Sequence, residues 1–158
     1  MTKQQIYNLK YVKLILYFGG LFNIAFAIPL TFPGLSERYF QFFSKINDGL
    51  DLGGSPIEYP SQGVAQLLIN TTGASIVLIG SIVVLAGTDP HRYRAIPMMN
   101  ALGRLAFIAL IFFYIWEYDV ARVMALFAPV DFVLSLLFIF FFFRLERADI
   151  SAAPQGVR

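Results

Sequence analysis

Arg104 and Asp131 stand where charge is most expensive, inside long apolar stretches of a 158-residue chain. A charged side chain at mid-membrane costs about 3 kcal/mol or more unless it is paired or solvated, so each residue is a functional candidate by default. Asn23, Asn70, Asn100, Ser135 and Tyr114 add hydrogen-bonding groups at membrane depth. Together with Asp131 and Arg104 they form the candidate ligand-binding set. Acid–base catalysis needs groups within reach of one another. Only Asp131, Arg104, Glu117 and Tyr118 could contribute to it. His91 lies in a short basic turn with Arg92 and Arg94, and reads as a surface residue. No catalytic residue is assigned, and the expectation is a non-enzyme.

The relation between Arg104 and Asp131 has two readings. With the third span ending near Pro97 and the fourth near Phe143 on one side, the two residues differ in depth by roughly 8 Å, near the limit of a direct pair. Helical side chains lean toward their own N-terminus, which sends Arg104 past Asn100 and Asp131 the opposite way. The favoured expectation is Arg104 snorkelling toward the nearer surface. Asp131 then sits beside a kink at Pro129, where proline removes a helix hydrogen bond and frees the Ala125 carbonyl.

The elements that must position these groups are membrane helices. Hydrophobic residues make up 58% of the chain and charged residues 14%, against roughly 45–50% and about 25% in soluble domains. Four apolar runs are long enough to cross a bilayer core about 30 Å thick, at about 9–30, 64–87, 97–118 and 121–143. They are continuous, unlike the alternating segments of a barrel. The fold class is an all-α integral membrane protein, a four-helix bundle in a single domain over 1–158. Ala25-Phe26-Ala27 resembles a signal-peptide cleavage site, but the apolar run continues to Leu30, so the segment is taken as a span.

Charge orients the bundle. Lys3, Lys10, Lys13, Arg92, Arg94, Arg144, Arg147 and Arg158 fall on one side. Arg38, Lys45 and Arg122 share the other with six acidic residues. The positive-inside rule then puts both termini in the cytoplasm of an inner (plasma) membrane. A net charge of +2 gives no case for nucleic acid. The absence of cysteine excludes disulfides and thiol chemistry, and one histidine excludes multi-histidine metal centres, so no metal site is expected.

The long external loop carries Pro29 and Pro33-Gly34, which read as the end of the first helix. Ser36 reads as the cap of a short amphipathic helix over 36–46, with Tyr39, Phe40, Phe43 and Ile46 on one face. Its two roles are a membrane-surface connector or a lid over an opening between spans. Asn47-Asp48-Gly49 and Gly53-Gly54-Ser55-Pro56 read as turns. Gly73, Gly80 and Gly87 recur every seven residues, a helix-packing stripe where backbones approach closely in lipid; the competing role is a channel lining. Phe138, Phe140, Phe141, Phe142 and Phe143 read as a belt meeting lipid or a partner.

Gly19-Gly20 in a span ending near Pro29, the Gly-rich second span, the basic loop, Gly103-Arg104 and Asp131 together resemble the small four-span bacterial proteins of the BphX and DoxX groups. That resemblance implies a four-helix membrane bundle acting as an accessory to oxidoreductase or degradative systems, and it implies no catalytic residues. Two functions follow as expectations. The first is a non-enzymatic accessory or assembly subunit, with the lipid bilayer, other membrane subunits or a second copy as partners. The alternative is a small-molecule or lipid-binding protein or carrier with a polar site around Asp131. The residues name no cofactor.

Overall fold

The computed structural model describes residues 3–152, with side chains placed from Leu9 to Leu145. Five helices run in order: α1 (Lys3–Thr31), α2 (Pro33–Gly49), α3 (Gly63–Thr88), α4 (Ala95–Tyr118) and α5 (Ala128–Ala152), with a 3-10 segment at Arg122–Phe127 before α5. Four of them carry spans: Leu9–Thr31, Gly63–Thr88, Ala95–Tyr118, and Arg122–Leu145 including the 3-10 segment. The chain is an all-α, four-span membrane bundle. One end of it, the basic end, gathers Lys10, Lys13, Arg92, Arg94 and Arg144. The opposite end carries α2 and the long connection, and is called the loop end.

The bundle consists of two helix pairs. α1 lies against α3 along its length and α4 against α5, whereas the consecutive helices α3 and α4 touch only sparingly. Glycine explains the first pairing. A methyl group on Gly20 would stand 2.6 Å from the Gly80 carbonyl oxygen, and one on Gly80 would stand 2.7 Å from the Gly20 oxygen. Gly73 packs on the backbone of Leu30 and Thr31, and Gly87 on the Tyr17 ring. Backbones this close gain dispersion contacts that lipid cannot replace. At the basic end Lys13 donates to the Thr88 carbonyl at 2.9 Å, placing a cation at the negative end of the α3 dipole.

A buried cluster of Val12, Leu16, Val83, Ala101, Phe138, Phe141 and Leu145 joins the four spans near the basic end. Phe138 and Phe141 are therefore core residues, and the expected all-round aromatic belt is corrected. Phe140 and Phe143 alone among these are exposed to the lipid side. A helix presents one residue in three or four to each neighbour, so a run of phenylalanines is divided between core and lipid.

Prolines depart from the expectation at three places. Pro29 lies inside α1, which continues to Thr31. Pro33 opens α2 at its first turn, with Phe32 as the N-cap residue. Proline lacks only an N–H that the first turn leaves unpaired anyway, so it starts helices as readily as it ends them. Ser36 consequently lies within α2, not at its cap. It is buried, donates to the Pro33 carbonyl at 2.8 Å and bonds the Tyr59 hydroxyl at 2.9 Å. Pro129 is the second residue of α5 and makes no kink there.

A second small core closes the loop end. Phe43, Ala121 and Val123 are buried there, flanked by Tyr39, Ile46, Leu52, Ile57 and Phe127. Asn47 belongs to the last turn of α2, not to a loose turn. Its amide donates to the Gly53 carbonyl at 3.2 Å, and its oxygen accepts the Val123 N–H at 3.1 Å. Gly54, at φ +86°, lies so close to Val120 that a side chain would meet the carbonyl oxygen at 2.7 Å. This clasp holds the 3-10 segment, and with it the start of α5.

Candidate functional site

Because α5 begins at Ala128, Asp131 occupies its first turn. A carboxylate is favoured in the first turn of a helix by the partial positive charge there. Ser135, one turn further on, donates to the Asp131 carbonyl at 2.7 Å and reaches the Ala101 carbonyl at 3.3 Å. That contact sets the antiparallel register of α4 and α5. Arg104 lies three residues from Ala101 and Asp131 four from Ser135, toward the loop end in both cases, so the two differ in level by only about 1.5 Å.

Arg104 and Asp131 accordingly form a direct ion pair, both buried. The snorkelling expectation is corrected. It took Phe143 as level with Pro97, whereas α5 runs on past Phe143 and lies roughly one turn further toward the basic end than that assumption allowed. Arg104 does lean toward its own N-terminus, and what it meets there is Asn100, whose oxygen accepts from Nε at 2.9 Å. Its Nη1 donates to Asp131, and Nη2 donates to the Gly19 carbonyl at 3.0 Å and to the Asn23 oxygen. The Phe22 ring lies 5.9 Å from the guanidinium carbon, within cation–π range. One side chain thus ties α1, α4 and α5 together.

This cluster stands on the wall of a cavity of about 1040 Å³. The Asn23, Asn100, Arg104 and Asp131 side chains line one part of it. Apolar residues line nearly all the rest, including Phe26, Ile76, Ile79, Phe107, Leu110 and Ile111. Tyr39, Phe40 and Phe43 of α2 cover its loop end, and Tyr114 lines the same end, about 15 Å along α4 from Arg104. Several lining residues are also open to the outside of the bundle: Leu68, Ile79, Met99, Phe107 and Leu110 all retain large exposed areas. The cavity therefore opens sideways between α3 and α4, at the depth of the bilayer interior. A second groove, between α1 and α5, is lined only by apolar residues such as Leu14, Phe18, Val130 and Leu137.

Of the seven sequence candidates, Asp131, Arg104, Asn23 and Asn100 meet in one cluster, and Ser135 holds the register behind it. Tyr114 shares the cavity at a distance. Asn70 stands apart. It lies a turn short of Gly73, which packs at the level of Leu30, well away from Asn23 near Gly80. Its Oδ1 is the one fully buried side-chain polar atom without a partner among the described residues. Sequence reasoning missed the Gly19 carbonyl, the Phe22 ring and the Asn47 clasp. Only Asn47, a polar residue on the apolar face of α2, carried a readable signal.

The two asparagines are oriented by Arg104. A guanidinium is donor-only, so each amide must turn its oxygen toward it and its NH₂ away. Asp131 uses Oδ1 for the pair, leaving Oδ2 without a hydrogen bond among the described residues. The amide nitrogens of Asn23 and Asn100 are likewise unbonded there but not sealed off, since Asn70 Oδ1 alone is both buried and unpaired. The site is electrically balanced, apolar around its rim, and donor-rich at its centre. No family model, curated protein or solved structure matches this chain.

Proposed function

We propose that this chain binds an amphiphile drawn from the bilayer. The acyl-like part lies in the cavity between α3 and α4, and the polar part rests against Asn23, Asn100, Arg104 and Asp131. The observation that carries this reading is the joining of a roughly 1040 Å³ apolar cavity to a buried ionic cluster on its wall. Its size is at the upper end of small-molecule sites, which run to about 1,000 Å³. A purely structural ion pair needs no such opening. The basic end faces the cytoplasm in this reading, following the excess of lysine and arginine there.

Gly103 lines the cavity, and a side chain added to it meets nothing within 4 Å at its Cβ. The position therefore has room for a side chain, and Gly103→Trp is expected to occupy the cavity. Purified in mild detergent and analysed by native mass spectrometry, the wild-type chain is expected to carry a bound small molecule that Gly103→Trp lacks. Equal ligand content in the two proteins, or none in either after supplying membrane lipid extract, contradicts the proposal.

A second reading is a subunit role, in which a partner's helix fills the same opening. It is favoured by the sparse contact between α3 and α4, which leaves Met99, Phe107 and Leu110 exposed along one strip. Co-purification of a second chain that Gly103→Trp abolishes supports this reading over the first.

A further inference from the structure

We infer that the polar part of the bound amphiphile is uncharged and offers carbonyl-type acceptor oxygens, as in an acyl ester or ketone. The inference rests on the binding reading above and narrows it to a chemical class. The groups left for a ligand decide it. Arg104 has five N–H donors, and four are committed: Nε to Asn100, one on Nη1 to Asp131, and two on Nη2 to Gly19 and Asn23. The fifth, also on Nη1, has no acceptor among the described residues. The NH₂ groups of Asn23 and Asn100 add donors turned away from the guanidinium, and Asp131 Oδ2 is the one oxygen of these four side chains with no hydrogen bond among the described residues. Three nitrogens there keep N–H groups without a partner, against one oxygen that accepts nothing, so a head group rich in oxygen lone pairs is complementary.

Charge narrows it further. Arg104 and Asp131 already neutralise each other inside an apolar setting. An anionic head bound to Arg104 would stand beside the Asp131 carboxylate, and a cationic one would stand beside the guanidinium. Each would bring an unbalanced charge into the bundle, where its desolvation is not repaid. A neutral ester or ketone oxygen takes the spare N–H groups without that cost. The apolar walls from Ile79 to Phe107 accept its chain, and the sideways opening admits it directly from the lipid phase.

The test compares four probes of one chain length on the purified protein in lipid nanodiscs: methyl palmitate, palmitate, hexadecane and cetyltrimethylammonium. Each is measured by equilibrium binding on the wild-type chain and on Gly103→Trp, with thermal melting to check that the variant is folded. The expected order places methyl palmitate first, about tenfold tighter than hexadecane, the worth of one or two net hydrogen bonds. Palmitate and cetyltrimethylammonium bind more weakly than the ester, and Gly103→Trp removes ester binding. Tighter binding of either charged probe, or ester and alkane binding alike, overturns the inference while leaving the cavity-binding proposal standing, provided Gly103→Trp still abolishes the binding. Binding of all four probes that Gly103→Trp does not change removes both. Gly103→Leu, a smaller plug, replaces the tryptophan variant if melting shows the latter unfolded.

Discussion

The two sides of α3 are built on opposite principles. Toward α1 it presents Gly73, Gly80 and Gly87, and the backbones approach until no side chain fits between Gly20 and Gly80. Toward α4 it presents Leu68, Ile79 and Ile82, whose side chains stay partly exposed and border a cavity. In water the second arrangement would be a defect, because exposed apolar surface closes up. In lipid it costs little, since acyl chains solvate leucine as well as another helix does. A seam of small residues fixes a membrane bundle, and bulky residues next to it can leave a lipid-accessible site. The ion pair belongs to neither side of α3; it locks α4 and α5 to α1 and so holds the cavity's far wall in place.

The comparison breaks most sharply at the ion pair. Arg104→Leu leaves the Asp131 carboxylate buried and unpaired, and is expected to cost about 3–5 kcal/mol. Arg104→Leu with Asp131→Leu is expected to recover most of that loss, because no isolated charge remains. Unfolding in mixed detergent micelles with increasing denaturing detergent measures both, and equal losses in single and double variants would show that the charge pairing is not what matters.

Gly80→Val attacks the seam. The added side chain meets the Gly20 carbonyl and Ile24, forcing α1 and α3 apart, at a cost of about 1–3 kcal/mol or somewhat more. The same assay should show Gly103→Leu, on the open side, neutral or stabilised by about 0.5–1 kcal/mol, since glycine is a poor helix former. A matching loss at both glycines would erase the distinction between the two faces of the bundle.

Asn47→Ala sharpens the account of how the loop end positions Asp131. It leaves the Val123 N–H without its acceptor, an expected loss of about 1–3 kcal/mol. The local symptom is faster amide exchange at Val123 and neighbouring residues of the 3-10 segment. Unchanged exchange would mean that the clasp does not order that segment.

The smallest effect concerns Tyr39, where α2 covers the cavity. Burial pushes its phenol up to about 12, from about 10 in an unfolded chain. The folded state therefore holds the proton more tightly. This contribution to stability is fully present below about pH 10 and is lost as pH rises through about 12. Ultraviolet titration should show a tyrosine step near pH 12, and Tyr39→Phe should remove it.

The four spans were legible because a bilayer imposes one length and one polarity on every crossing, which runs such as 64–87 display outright. The glycine stripe was legible for a related reason, since a seven-residue period keeps Gly73, Gly80 and Gly87 on one face. Register was not. It depends on where α5 begins, and that is fixed by Asn47 of α2 holding Val123, a contact across 76 positions. Pro129 was read as a kink and Pro33 as a stop because proline carries one sequence signal for helix starts and helix ends alike. The pairing of Arg104 with Asp131 followed from the register and so could not be read before it. Asn70 looked equivalent to Asn23 in sequence, and only the crossing of α1 and α3 separates them.

In the proposed function the opening between α3 and α4 holds an amphiphile against the Arg104–Asp131 pair. Photolabelling tests it most directly, using a methyl palmitate analogue with a diazirine in its chain, in nanodiscs. The label is expected on Ile79, Met99, Phe107 and Leu110, in preference to equally exposed lipid-facing residues such as Leu21, Phe132 and Leu136, and Gly103→Trp should abolish that preference. Label spread evenly over the exposed apolar residues, unchanged in Gly103→Trp, would contradict it.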